Sequence, residues 1–288
     1  MTSNIKLNFS KKILQDAILM NIGIALDEDL GAIDKTGQLI PKHKKGIAII
    51  KSNQSAILCG SPWVNSCFKK INNKIKINWL ALEGESIKKG QKICEIDGAY
   101  IDLLAGERVA LNFLQTLSGT ATETHKMAIL IKNYDTKLFD TRKTIPGLRI
   151  AQKYAVKIGG GENQRLGLYD QILIKENHIK SFLNISDLLE KSNLRNKLDK
   201  VQVEVENTSE LKIALSYGIR NILLDNFSVK AIIKSIQINK NRAVLEASGN
   251  INNKNILKYA KTGVQRISVG LITKNINSID FSMDIQLK

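Results

Sequence analysis

The chain has 288 residues, with 43 Lys and Arg against 27 Asp and Glu, for a formal net charge of +16. Hydrophobic residues make up 43% and prolines number only three, a balance that excludes disordered, collagen-like and mucin-like chains and leaves a globular protein with a real core. No apolar run approaches the ~20 residues a membrane helix requires, and the first stretch, MTSNIKLNFSKKILQDAILMNIG, lacks the apolar segment and small-residue cleavage site of an export leader.

The first third reads as mixed helix and strand. Ser10 is placed to cap a helix through Leu26, with Ile13, Leu14, Ala17 and Ile18 on one face. Short strands follow in GIAIIKS, SAILCG, KIKINWLALEG and QKICEIDGAY, separated by turn-prone segments. EGESIKKGQKICEID reads as a small hairpin around Gly90. A long helix is expected over ERVALNFLQTLSGTATETHKMAILIKN, ending near Asn133. Six apolar runs come next: TKLFDT, QILIKEN, KVQVEVEN, NILLDN, AVLEAS and RISVGL. The last four begin roughly 20 residues apart with helix-length segments between them, the spacing of β/α units on a parallel sheet.

Each of these runs ends in polar or charged groups: Asp140, Arg142 and Lys143, then Lys175 and Glu176, Glu204 and Glu206, Asp225, Glu246 and Ser248, and Gly270. Strands must end and loops are polar, but carboxylates within apolar runs such as VEVEN are costly unless paired or bound to something. In a β/α barrel such strand ends open on one face, which predicts a charged mouth. There Arg142, Lys143, Arg165 and Lys175 suit a ligand with several carboxylates or phosphates, while Glu204 and Asp225 suit sugar hydroxyls or a phosphate-chelated magnesium ion. SGN (248–250) and VGL (269–271) offer backbone amides for a phosphate.

The lysines are otherwise scattered and aromatics are only 5%, too few for a base-stacking platform, so no nucleic-acid partner is expected. Cys59, Cys67 and Cys94 show neither CxxC nor His spacing, which argues against disulfides or zinc and places the protein in a reducing cytoplasm. GGG (159–161) reads as a helix C-terminal turn after KYAVKI, SGTAT (118–122) as close helix packing, and His178 as a structural group that orients a loop or simply packs.

The motifs EDLG (28–31), ERVALNFLQTLSGTAT (107–122), DTRKTIPGLR (140–149), KYAVKIGGGENQRLGLYDQILIKENHI (153–179), VEVEN (203–207), LLDN (223–226), EASGNI (246–251) and ISVGLIT (267–273) resemble the quinolinate phosphoribosyltransferase family, in family order over nearly the whole chain. The resemblance implies an N-terminal α/β sandwich domain over 1–112, rejoined by 275–288, and an incomplete, TIM-like α/β barrel over 113–274. It implies transfer of phosphoribose from phosphoribosyl pyrophosphate to quinolinate, with magnesium, yielding nicotinate mononucleotide, pyrophosphate and carbon dioxide.

Carried over position by position, Arg142, Lys143, Arg165 and Lys175, with Thr141 and Gln164, hold acceptor carboxylates and nearby phosphate oxygens. Glu204 and Asp225 face the ribose and the metal-bound donor. Ser248, Gly249, Asn250, Val269, Gly270 and Leu271 bracket the 5′-phosphate. Lys143, Lys175, Glu204 and Asp225 form the catalytic set, and Arg108 enters the neighbouring subunit's site, which implies a homodimer.

This chain departs from the family pattern at Gln164, where His is usual, at Ile33, where glycine is usual, and at Lys274, again in place of His. Two other readings stand beside this one. A same-fold pyrophosphorylase-like protein of a molybdenum operon would take another acidic acceptor, and a nucleic-acid-binding protein would need a contiguous lysine surface.

Overall fold

The computed structural model describes residues 7–192 and 200–288; the first six residues of the N-terminal stretch read above lie outside the described residues. The chain divides into two compact units, one built from 1–125, 144–160 and 272–288, the other from 126–143 and 161–271. The segments 113–125, 144–160 and 272–274 therefore count with the first unit, whereas the sequence reading put them in the barrel domain.

The first unit opens with α1 (Lys11–Leu30), whose first turn is capped by Ser10 Oγ accepting from the Ile13 amide at 3.2 Å. Its buried residues are Ile18, Asn21, Ile22 and Leu26, while Ile13 is exposed. The inward face thus sits further along the helix than the sequence suggested, because Asn21 is buried as a hydrogen-bonding group: it accepts from Trp63 Nε1 at 3.3 Å and donates to the Gly147 carbonyl at 3.1 Å.

The strands β1 (Lys45–Ser52), β2 (Ala56–Ile57), β3 (Lys76–Trp79), β4 (Ser86–Ile87) and β5 (Lys92–Ala99) surround α2 (Ser61–Ile71) in the chain order. A four-stranded sheet runs β12-β1-β5-β3, in which β12 (Phe281–Leu287) is the C-terminal strand, antiparallel to β1. The Gly90 turn does not close a hairpin. β4 pairs with β2 in a separate two-stranded ladder, and β5 goes to β1 and β3. Two residues of β4 give too short a ladder to hold the eight-residue β5, which pairs along its length with β1 and β3.

The helix α3 (Tyr100–Ile131) starts earlier than expected and carries the SGTAT segment in its middle. The small residues there serve packing. Ser118 Oγ accepts from the Cys59 amide at 3.0 Å, and Thr122 Oγ1 accepts from the Ile57 amide at 2.9 Å. Trp63 stacks on Phe113 and lies against Tyr154 of α4 (Arg149–Ile158), with ring centroids 6.3 and 5.4 Å away. Gly159 caps that helix and Gly160 follows at φ 90, so the triple glycine is the helix-ending turn read from the sequence.

The second unit is the incomplete α/β barrel. Its strands are β6 (Lys137–Phe139), β7 (Ile172–Ile174), β8 (Val201–Val205), β9 (Asn221–Asp225), β10 (Val244–Ser248) and β11 (Arg266–Ser268). They form one parallel sheet in the order β6-β11-β10-β9-β8-β7, extended by a parallel bridge between Phe139 and Glu162. The helices α5 (Glu176–Ile179), α6 (Ile185–Lys191), α7 (Thr208–Ser216), α8 (Val229–Asn239) and α9 (Ile256–Ala260) provide the crossovers, and α10 (Leu271–Lys274) follows β11. Val201, Val203, Val205, Ile222, Leu224, Leu245, Ala247 and Ile267 are buried, the alternate residues of four consecutive strands. Among the described residues no helix is long and apolar enough to cross a membrane.

Gly119 of α3 leaves no room for a side chain: a Cβ there would lie 2.4 Å from the Asn277 carbonyl oxygen. Backbone cannot swing away as a side-chain tip can. Gly119→Ala is expected to cost about 1–3 kcal/mol and lower the Tm by roughly 3–10 °C, read by thermal unfolding.

Candidate active site

Because strand side chains alternate, the residues between the buried aliphatic ones turn to the other side of the barrel sheet. They are Leu173 and Lys175, Gln202 and Glu204, Leu223 and Asp225, Glu246 and Ser248, and Ser268. With the turn after β6, most of these line a cavity of about 340 Å³ at the C-terminal ends of the strands. Register sets their spacing. Glu204 and Glu246 both pair with Leu223, so an apolar residue of β9 separates the two carboxylates on the strands that flank it.

The two glutamates live in different electrostatic surroundings. Glu204 Oε2 accepts from Lys175 Nζ at 2.7 Å, and the lysine side chain is 45% exposed against 14% for the glutamate. Water therefore still reaches the lysine, and the pair can open to a ligand. The Lys175 backbone is fixed independently, since its amide donates to His178 Nδ1 at 3.0 Å at the start of α5. Glu246 is fully buried and has amide donors only: Gln164 Nε2 donates to Oε1, and Gln202 Nε2 to Oε2 at 3.0 Å. Burial pushes its carboxyl above the usual range, opposed by Ser268, the two glutamines and Arg266 beside it.

The opposite wall is cationic. Asp140, fully buried at the end of β6, accepts from the Gln164 amide at 2.7 Å and from Asn163 Nδ2 at 2.8 Å. This carboxylate ties the DTRK turn to the segment carrying Gln164 and Arg165, so Arg142 and Arg165 are brought to one wall. Burial and the neighbouring Arg142 guanidinium hold Arg165 below the usual arginine range, with Asp170 acting the other way. The Nε of Arg142 and the Nε of Arg165 are both buried without a hydrogen-bond partner among the described residues. Arg165 spends one donor on the Gln171 carbonyl, 2.8 Å from Nη1. Such a wall satisfies its donors when an anion arrives.

Thr141, Arg142, Lys143, Gln164, Arg165, Lys175, Glu204, Asp225 and Ser248 all line the cavity, as the sequence reading placed them. Gly249, Asn250, Val269, Gly270 and Leu271 are not among its lining residues. Asn226 Nδ2 donates to Asp225 Oδ2 at 2.8 Å, and Asn250 Nδ2 donates to Asn226 Oδ1 at 3.3 Å, so Asn250 lies behind Asp225 in a chain of amides. Gly249 has φ 101, and a Cβ would fall 2.2 Å from Asn226 Oδ1, which excludes any side chain. Gly270 admits Lys143 closely, since a Cβ would sit 3.1 Å from Lys143 Cδ. Val269 is buried, its amide donating to the Phe139 carbonyl at 2.9 Å.

Arg108 belongs to the other compact unit, where it is exposed on α3. Four lining residues escaped the sequence reading as site residues: Leu173, Leu223, Glu246 and Ser268. The signal for each was present, because every one lies two residues from a predicted site residue: Lys175, Asp225, Ser248 and Gly270. All three cysteines are buried free thiols. Burial pushes Cys67 and Cys94 up to about 12 and Cys59 well above its ordinary value, so none is a nucleophile.

With this geometry in place, comparison with known proteins is direct. The family description "Quinolinate phosphoribosyl transferase, N-terminal domain" matches residues 34–118, and "Quinolinate phosphoribosyl transferase, C-terminal domain" matches residues 120–284. A Bacillus subtilis protein named probable nicotinate-nucleotide pyrophosphorylase [carboxylating] is 35% identical over 261 residues, covering 90% of each chain. One of the same name from Methanocaldococcus jannaschii is 35% identical over 284 residues, covering 95% of this chain and 99% of its own. The solved structure of the nicotinate-nucleotide pyrophosphorylase from Francisella tularensis superposes with a TM-score of 0.91 at 41% identity, over 99% of this chain and 100% of that one. On these matches, and with both domain descriptions met in order, the chain belongs to the quinolinate phosphoribosyltransferase family.

Proposed function

We propose that the protein transfers phosphoribose from phosphoribosyl pyrophosphate to quinolinate with loss of carbon dioxide, giving nicotinate mononucleotide and pyrophosphate for NAD biosynthesis. The observation that carries this reading is the cationic wall: two guanidinium groups with buried, unsatisfied Nε donors, beside Lys143, facing a cavity with carboxylates on its far side. A dianionic aromatic ring is held by the wall, and the carboxylates Glu204 and Asp225 are left to meet hydroxyls of a sugar.

Breaking the bond from ribose to pyrophosphate builds positive character on the sugar carbon and negative charge on the leaving group. Fixed cations stabilise the second and fixed carboxylates the first, while the wall aligns the ring nitrogen behind the ribose carbon. Once that nitrogen is alkylated, the pyridinium stabilises the ring carbanion left when the adjacent carboxylate departs as carbon dioxide, and a proton from water then takes the vacated position. No side chain serves as a nucleophile in this scheme. Lys175 has a second task, since its ion pair to Glu204 keeps that carboxylate oriented before the donor binds.

Magnesium belongs to the same proposal. Among the described residues no group of three or more His, Cys, Asp or Glu is placed to hold a metal ion. The residues present instead fit an ion carried on the donor's phosphates, a setting in which magnesium needs only one or two protein carboxylates, here Glu204 and Asp225. When bound it supplies charge neutralisation at the departing pyrophosphate.

A shared-site homodimer is the accompanying assignment. It is supported by Arg108, an exposed arginine with no side-chain partner among the described residues, on the part of α3 that belongs to the other unit. The three buried free thiols support a cytoplasmic setting.

The test is incubation with magnesium, phosphoribosyl pyrophosphate and quinolinate, with nicotinate as a parallel acceptor and products read by mass spectrometry. Nicotinate mononucleotide from quinolinate alone, with equal carbon dioxide release, is the expected result; product from nicotinate alone, or from neither, rejects the reading. Lys143→Ala is expected to lower kcat/KM by about 10²-fold or more with an unchanged circular dichroism spectrum. For the shared site, Arg108→Ala and Lys175→Ala subunits mixed one to one are expected to recover about a quarter of wild-type activity, since half the dimers then carry one intact site of two. No recovery in verified mixed dimers rejects the exchange of Arg108.

A further inference from the structure

Glu246 is an anomaly in a site designed for anions. It is fully buried on β10, it lines the cavity, and its hydrogen-bond donors are the neutral amides of Gln164 and Gln202. Among the described residues no lysine or arginine forms a hydrogen bond or ion pair with it, and Arg266 acts on it only through space. Lys175 is paired with Glu204, one strand beyond Leu223, and the Arg266 guanidinium, in register with Glu246 on β11, is drawn over the Phe139 ring at 5.2 Å from its centroid. A carboxylate removed from water and given no cation is stabilised in its acid form. Bringing two further negative charges into the same low-dielectric cavity shifts the balance further in that direction.

We propose that Glu246 is a positioning residue for the acidic acceptor: it anchors the Gln164 amide at the cavity wall and takes up a proton from solvent as the doubly anionic acceptor enters. The inference rests on the reading of this cavity as the acceptor site. One proton moves from solvent to a Glu246 carboxylate oxygen, and no other bond changes. The position of Gln164 explains why the task falls to Glu246. This side chain stands where the family pattern has His, and an amide cannot gain a proton to meet a carboxylate, so the charge adjustment moves to the acid behind it.

The charged groups that face Glu246 are accounted for element by element. From β11 comes Arg266, with the Ser268 hydroxyl beside it, and burial outweighs both in raising the carboxyl's affinity for a proton. From the loop segments come Arg142, Lys143 and Arg165, which line the same cavity and favour the ionised form at longer range. From β9 and β8 come Asp225 and Glu204, which favour the acid form, the latter offset by its ion pair with Lys175 from the end of β7. The acceptor's carboxylates engage the three loop cations, removing the groups that had favoured ionisation and leaving those that oppose it.

The experiment is isothermal calorimetry of quinolinate binding to the full-length protein, in two buffers of different ionisation enthalpy, between about pH 5 and pH 9. The wild type is expected to take up a fraction of a proton, approaching about one, with affinity falling by up to about tenfold per pH unit where free Glu246 is ionised. Glu246→Gln keeps the size and the acceptor oxygen for Gln164; its proton uptake and its slope are expected to vanish, and subtracting the two profiles removes the acceptor's own titration. Free-protein stability supplies a second readout. A group whose folded pKa is raised contributes stability at low pH that is lost as pH rises through the folded value, so the Tm of Glu246→Gln is expected to gain on wild type toward alkaline pH. No proton uptake by the wild type, which needs no variant, or an unchanged profile in a folded Glu246→Gln, overturns the inference while leaving the reaction intact. Quinolinate that neither binds nor reacts overturns both.

Discussion

The site depends on a constraint of parallel sheets. A strand buried on both faces sends every second side chain to the inside of the barrel, and an inside position near the N-terminal end of a strand has no water and no partner. Charged groups are tolerated only toward the C-terminal ends, where loops bring opposite charges within reach. In β8 the sequence VQVEV obeys this by placing Gln202 deep and Glu204 nearer the mouth, within 2.7 Å of a lysine supplied by the end of β7. In β10 the order is reversed, with Glu246 deep and Ser248 at the strand end. That inversion leaves Glu246 reliant on amides, and the reliance gives this acid its distinct behaviour.

The loops that complete the mouth are held by buried polar groups rather than by apolar packing. Asp140 joins two segments through a side-chain amide and a backbone amide, at 2.8 and 2.7 Å. Asp225 is backed by Asn226 and Asn250, both at positive φ, with Gly249 between the latter and the strand end. Non-glycine residues in the left-handed region cost of order 1 kcal/mol or more each, and they persist where the surroundings dictate the conformation. Here the return is orientation: the Asp225 carboxylate is fixed from behind by an amide, which leaves its other oxygen for the cavity.

Much of this was legible in the sequence because apolar alternation with charged strand ends has few structural solutions. The six barrel strands, the cationic set in DTRK and GENQR, and the carboxylates Glu204 and Asp225 all fell where the pattern put them. The misses have physical causes. The inward face of α1 was read from apolar residues alone, whereas Asn21 is buried by its hydrogen bonds to Trp63 and Gly147, partners 42 and 126 residues away in the chain. The Gly90 turn looked like a hairpin because local sequence reports the turn and not the partner strand. Glu246 was noted as a strand-end charge but not as a site residue, since its depth follows from register with Leu223 and from the long-range amides of Gln164 and Gln202.

The overall charge of +16 is a poor guide to this chemistry, and the reason is screening. Lysines spread over a solvated surface act over about 8–10 Å in physiological salt and discriminate little between one anion and another. The cavity works by arrangement. Arg142 is close enough to disfavour the charge on Arg165, and among the described residues both keep a buried Nε without a hydrogen-bond partner. An incoming carboxylate relieves the repulsion and satisfies the donors together, so two unfavourable features of the free protein become favourable ones of the complex. On the proposed reading, a phosphate-bearing ligand meets the same cations, while Glu246 behind the wall and Glu204 and Asp225 across from it limit how much negative charge the cavity accepts before protons are drawn in. Selectivity for a small dianion beside a sugar thus follows from the balance of fixed charges at the strand ends, and it is indifferent to the basic surface around them.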